Sequence, residues 1–195
     1  MGGSLRRPHP RIEDPAMIIT PLKISGAFQI DIERADDERG FFARCFCRED
    51  LCAHGIDFPV AQCSISGNRA RHTLRGMHYQ EPPHGETKLV RCTAGCIWDC
   101  IVDLRPGSPT YRQWSALELS AANRRTLLVP ECCAHGFLTL TADAEVFYMI
   151  SSSYEPLSAR GVRWDDPAFG IDWPAPPEVI SDKDRSYPDH VAGSS

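Results

Sequence analysis

Residues 73–91 read TLRGMHYQEPPHGETKLVR, placing two arginines, two histidines and a lysine among apolar residues in a run with strand-like alternation. Imidazole gives and takes protons near neutral pH, while guanidinium and ammonium groups bind carboxylate or phosphate oxygens. The stretch therefore offers acid–base chemistry beside an anion site. His78 stands between Met77 and Tyr79, and alternation turns it to the face opposite both. Arg75, three residues earlier, shares that face only if the strand carries a bulge at Arg75-Gly76, which the glycine permits. Arg69, Arg71, Arg75, Lys88 and Arg91 are opposed between residues 69 and 91 only by Glu81 and Glu86. A diphosphate or carboxylate ligand would use that excess; a solvated basic face is the plain alternative.

Three further positions carry usable groups. His135, in PECCAHGF, follows a proline-led turn and opens an apolar run, which aims its ring into a site or into a hydrogen-bonded structural role. Tyr148, in EVFYMI, alternates with Val146 and Ile150, and a phenol on an apolar face needs a polar partner or a task. Asp184 closes SDKD; brought against a histidine ring nitrogen, its carboxylate would fix the tautomer and raise the basicity. His78, His135 and Glu86 can in principle converge on a metal, but a metal-binding barrel usually offers two histidines one residue apart, and Tyr79 points the wrong way. Cys92, Cys96 and Cys100 at spacings of four, and the crowded Cys132, Cys133 and His135, do not form zinc knuckles either. No metal is expected.

Positioning these groups falls to short alternating runs: GAFQIDIERA, FFARCF, KLVRC, CIWDCIVDLR, WSALELS, RTLLVP, HGFLTLT and AEVFYMI, separated by turn signals such as DDERG and RPGSP. They predict an all-β, antiparallel jelly-roll barrel or sandwich with a cavity between its sheets. REDLCAHG, residues 48–55, is the one helical stretch, stopped by its glycine. The segment from residue 161, too aromatic for disorder and too proline-rich for central strands, is expected as an ordered wrap. The 195 residues suit one domain, with a loose arm over 1–19, a domain over 20–188 and a tail over 189–195. A formal charge of -5 argues against nucleic acid as partner, and no window is apolar enough for a membrane span. The nine cysteines, an odd number in a chain with core enough, read as reduced thiols, and the cytoplasm is the expected location.

DERGFF (37–42), TLRGMHYQ (73–80), KLVRC (88–92), VDLRPGSPTY (102–111), ELSAANRR (118–125), AHGF (134–137), EVFY (145–148), RWDDPAFGIDWP (163–174) and SDKD (181–184) together resemble the dTDP-4-dehydrorhamnose 3,5-epimerase family over residues 20–188. The resemblance implies a cupin-type jelly roll, a homodimer, no metal or organic cofactor, and a nucleotide-diphosphate-linked 4-keto-6-deoxy sugar as substrate. By the same resemblance His78 is the general base, Asp184 its orienting carboxylate, Tyr148 the acid on the opposite face and Lys88 the cation at the C4 oxygen. It also implies that Arg39 and Arg75 contact the diphosphate nucleotide, that Tyr154 lies near substrate and that His135 is in the pocket wall. Gln62 and Ser64 fall on the substrate wall, where Ser64 replaces an asparagine common in the family. Cys132-Cys133 stands where the family carries glycine and an aromatic, and His72 precedes the TLRG motif as one more imidazole. The rivals are a sugar ketoisomerase or metal-dependent barrel of the same fold, and a non-catalytic sugar-nucleotide binding module.

Overall fold

The alternating runs form strands in the computed structural model, which describes residues 15–190. In chain order the elements are β1 (Met17–Pro21), β2 (Phe28–Ile32), β3 (Ala35–Asp37), β4 (Gly40–Phe42), α1 (Arg48–Ala53), β5 (Gln62–Asn68), β6 (Thr73–Gln80), β7 (Lys88–Ala94) and β8 (Cys96–Asp103). There follow β9 (Trp114–Ser120), β10 (Thr126–Val129), β11 (Cys133–Thr139), β12 (Ala144–Ile150), β13 (Ala159–Gly161), β14 (Val179–Ile180) and α2 (Asp182–Arg185). One sheet runs β1-β2-β10-β7-β12-β5 and the other β13-β6-β11-β8-β9, with β3 and β4 as a separate hairpin. Sheet neighbours far apart in sequence are the mark of a jelly roll, and this is a cupin-like β-sandwich. The pairing is antiparallel except that β14 runs parallel to β6.

Period-two alternation sorts each inner strand between two environments. On β7, Val90 and Cys92 enter the core between the sheets, while Leu89 packs outside with Leu51 of α1 and Phe58. On β8, Ile97 and Ile101 face inward, and Cys100 and Val102 face the C-terminal wrap through Val162, Phe169 and Trp173. The wrap is ordered, as its aromatic content predicts, because its own Trp164 and Trp173 stack edge-on or tilted with each other and on Trp98, which in turn meets Trp114.

The bulge that Gly76 permits is present. His135 of β11 pairs with His78, but Phe137 pairs with Arg75, so three steps on β6 oppose two on β11. Gly76 takes φ +142°, and a Cβ there would stand 2.5 Å from Gly136 Cα, so the two strands pass too closely for any side chain. The extra residue turns Arg75 and His78 to one face.

Two boundaries move. Met17–Ile19, read as part of the loose arm, belong to β1, because Met17 is buried and pairs with Ile32. Asp189 and His190, read as tail, are packed against Arg163, Asp166 and Tyr111. Residues 1–14 of the arm and residues 191–195 lie outside the described residues. All nine cysteines are free, and burial lifts the Cys133 thiol to about 12, so it stays protonated. Among the described residues, no helix is long and apolar enough to cross a membrane.

Candidate active site

Along the inner face the strands change character. Toward one end they are apolar; toward the other, Lys88 follows Val90 on β7, Tyr148 follows Val146 on β12, and His135 and Asp99 replace aliphatic residues on β11 and β8. Between the sheets at the polar end lies a cavity of about 640 Å³, a size suited to a small-molecule ligand. His78, Lys88, Tyr148 and Asp184 line it, together with Gln62, Ser64, Arg75, His135 and Tyr154.

His78 extends from β6 and meets Asp184 through a 2.7 Å Nε2–Oδ1 hydrogen bond. Asp184 arrives from α2, whose N-terminus is capped by Ser181 Oγ accepting the Asp184 N–H at 3.1 Å. The other carboxylate oxygen accepts the Gly76 N–H at 3.3 Å. Burial works against ionisation of Asp184, but the His78 hydrogen bond and charge, with Gly76 and Ser181, outweigh it and hold the carboxyl below its ordinary value. An ionised Asp184 favours the ring proton on Nε2, which leaves the Nδ1 lone pair free to accept a proton. The imidazole is 41% exposed, whereas the carboxylate is only 7% exposed.

Tyr148 and Lys88 come from the opposite sheet. Burial, with the nearby Asp99 charge, pushes the Tyr148 phenol well above its ordinary value, so it stands protonated and ready to donate. Its ring meets His135 edge-on, centroids 6.1 Å apart. His135 is itself fixed by Asp99 through a 2.7 Å Nε2–Oδ1 bond, both groups fully enclosed. Lys88 donates to the His78 carbonyl at 3.3 Å and pairs with Glu86 at 2.9 Å, so its ammonium is bound beside the imidazole-bearing strand.

Arg75 is held by Asn68 Oδ1 at 2.7 Å and the Gly67 carbonyl at 3.4 Å, without a carboxylate partner among the described residues. Its charge is therefore available to an anion in the cavity. Arg39 is different: it sits on the turn between β3 and β4, 84% exposed and paired with Asp37, and does not line this cavity. An i, i+2 salt bridge on an exposed hairpin satisfies it locally.

Sequence reading passed over two groups. Asp99 lay hidden in the apolar run CIWDCIVD, although its alternation with Ile97 and Ile101 places a carboxylate on the core face. Glu86 was weighed as an opposing charge and as a metal ligand, whereas from just ahead of β7 it pairs with Lys88. His78, His135 and Glu86 do share the cavity, yet among the described residues no group of three or more His, Cys, Asp or Glu is arranged to hold a metal. His72, read as a plain surface imidazole, takes φ +55° and binds Glu178 at 2.9 Å, tying the start of β6 to the segment leading into β14.

Comparison with known proteins gives the family. The family model described as dTDP-4-dehydrorhamnose 3,5-epimerase matches residues 21–191. A curated dTDP-4-dehydrorhamnose 3,5-epimerase of Sinorhizobium fredii is 40% identical over 88% of this chain and 89% of its own length. The crystal structure of the Bacillus anthracis enzyme of that name, with TDP and PPi bound, superposes with a TM-score of 0.86 at 37% identity, covering 90% of this chain and all of that one. A Legionella pneumophila 3,5-epimerase solved with dTDP-4-keto-L-rhamnose gives 0.82 at 36% identity, covering 88% of this chain and 92% of its own. With identity of this level running nearly end to end, the chain belongs to the dTDP-4-dehydrorhamnose 3,5-epimerase family.

Proposed function

We propose that this protein inverts C3 and C5 of dTDP-4-dehydro-6-deoxyglucose, a nucleotide-diphosphate-linked 4-keto sugar, to give dTDP-4-dehydrorhamnose. One observation carries the reading: a carboxylate-backed imidazole on one sheet and a protonated phenol on the other line the same cavity, with an ammonium group beside them. The C4 ketone acidifies the hydrogens on C3 and C5, because loss of either leaves an enolate with its charge on the C4 oxygen. His78 takes the proton, and Lys88 stabilises the oxyanion with a cation already in place. Tyr148 returns a proton to the other face of the same carbon, and exchange with water restores both groups. Base, cation and acid account for the reaction without metal or organic cofactor.

Arg75 is the nucleotide diphosphate anchor in this reading, with Gln62, Ser64, His135 and Tyr154 around the sugar. Binding energy from the distant diphosphate orients a ring that has few charges of its own. The site works within one epimerase unit running from β1 to the packed C-terminal segment.

A homodimer completes the proposal. Edge strands β1 and β5 expose Ile18 and Ile65, surface that a second copy would cover. In such a dimer the exposed hairpin of Arg39 would lie against a neighbour's cavity and so meet the substrate there. Mixing Arg39→Ala with His78→Ala chains would then restore part of the activity through hybrid dimers. Nine free thiols suit the reducing cytoplasm as the place of action.

The deciding experiment is NMR of the dTDP-4-keto sugar incubated with the protein in heavy water. Deuterium is expected at C3 and C5 together with inverted product. Incorporation at C3 alone would reduce the activity to a 3-epimerase, and no incorporation with any nucleotide-linked 4-keto sugar would end the proposal.

A further inference from the structure

We infer that Tyr187 is a positioning residue for His78, holding the imidazole in line with Asp184. The inference rests on His78 being the base but is carried by different contacts. Gly161 of β13 lies directly opposite His78 in register on β6. The Tyr187 ring is seated on that glycine: a Cβ at position 161 would stand inside contact distance of three Tyr187 ring carbons. From this seat the ring meets His78 edge-on, with centroids 6.1 Å apart and planes at 67°. The imidazole is thus bound at Nε2 by Asp184 and flanked by an aromatic ring, and both constraints come from one short segment of four residues, Asp184 to Tyr187.

That segment is itself secured. Asp189 pairs with Arg163 at 2.6 Å, His190 N–H donates to Asp166 Oδ2, and the His190 ring meets Tyr111 Oη at 3.0 Å and Phe169 at a 5.2 Å centroid distance. Without such anchoring, a 41% exposed imidazole has rotamers that break the 2.7 Å bond to Asp184. An edge-on aromatic contact removes those alternatives at little cost in access, because Tyr187 packs from β13 rather than covering the cavity, whose lining does not include it.

The test pairs ring removal with ring displacement. Tyr187→Ala, and Gly161→Ala, which pushes the ring off its seat, are each expected to lower kcat roughly tenfold with KM for the dTDP sugar within about twofold, the pattern of a misaligned base rather than a lost binding contact. Tyr187→Phe keeps the ring and is expected to retain kcat within about threefold. A second readout needs no substrate: in the ligand-free protein, the His78 ring protons shifted by the Tyr187 ring current should move on Tyr187→Ala, and the Nε2–H signal bonded to Asp184 should broaden. Unchanged His78 signals, an unchanged kcat, or a loss confined to KM in Tyr187→Ala overturns the inference. If the parent protein gave no solvent exchange, the base assignment would fail, while the NMR signals would still decide whether Tyr187 holds the ring.

Discussion

Two imidazole–carboxylate pairs share a 2.7 Å Nε2–Oδ1 bond and almost nothing else. His78 is 41% exposed, and its partner Asp184 arrives from a helix 106 residues later. His135 and Asp99 lie on the neighbouring strands β11 and β8, 5% and 0% exposed, and Asp99 Oδ2 has no hydrogen-bond partner among the described residues. The same hydrogen bond therefore does different work in the two places. Open to the cavity, it tunes the imidazole proposed as the base; enclosed, it fixes a ring that walls the cavity and packs on Tyr148. Access, rather than the bond itself, separates chemistry from architecture.

The largest effect expected from breaking this comparison is at the open pair. His78→Ala should reduce solvent exchange by on the order of 10³-fold while the melting temperature barely moves. An equally large loss of stability would place His78 with the architectural pair. Next comes the phenol: Tyr148→Phe should slow inversion by on the order of 10²-fold yet leave proton removal running, so the recovered starting sugar gains deuterium without inverted product.

The two carboxylates should then divide cleanly. Asp184→Asn is expected to cost roughly 10- to 100-fold in kcat through the imidazole it orients. Asp99→Ala should instead cost about 3 kcal/mol in denaturant unfolding, because it strands a buried histidine. If the two variants traded these phenotypes, the contrast in access would explain nothing.

The smallest effect is a pH dependence. Asp184 has a folded value held below its ordinary 3.8, so its stabilisation is complete above that value and disappears as pH falls through the folded one. Asp184→Asn should flatten the acid side of the stability curve. Asp103, held at about 2 against its burial by hydrogen bonds from Arg105, Ser108 and Thr110, gives the control. Its contribution fades between about pH 4 and pH 2 and should do so equally in the Asp184→Asn protein.

Strand content was legible because half-buried strands must alternate, and the alternation around Val146, Tyr148 and Ile150 put the phenol on the cavity side. Gly76 announced the bulge that reunites Arg75 with His78. The short helix that carries Asp184 has its own mark, Ser181 three residues before an acid, a capping signal that goes unused when SDKD is taken only as the setting of one carboxylate. Long-range partners were less visible. Asp99 looks like an interruption of an apolar run until β11 is laid beside it, and Arg39 leaves the cavity because its hairpin closes on itself, with Asp37 as its partner.

The parallel pairing of β14 with β6 sets an order of assembly. Every cavity-lining strand except β14 lies before residue 151, while Val179, Ile180 and Asp184 reach the wall only when the final stretch of polypeptide folds back. A nascent chain on the ribosome, or one clipped by a protease ahead of Asp184, keeps its imidazole without the counter-ion. Competence thus comes last in synthesis and is the first thing lost to trimming from the C-terminal side.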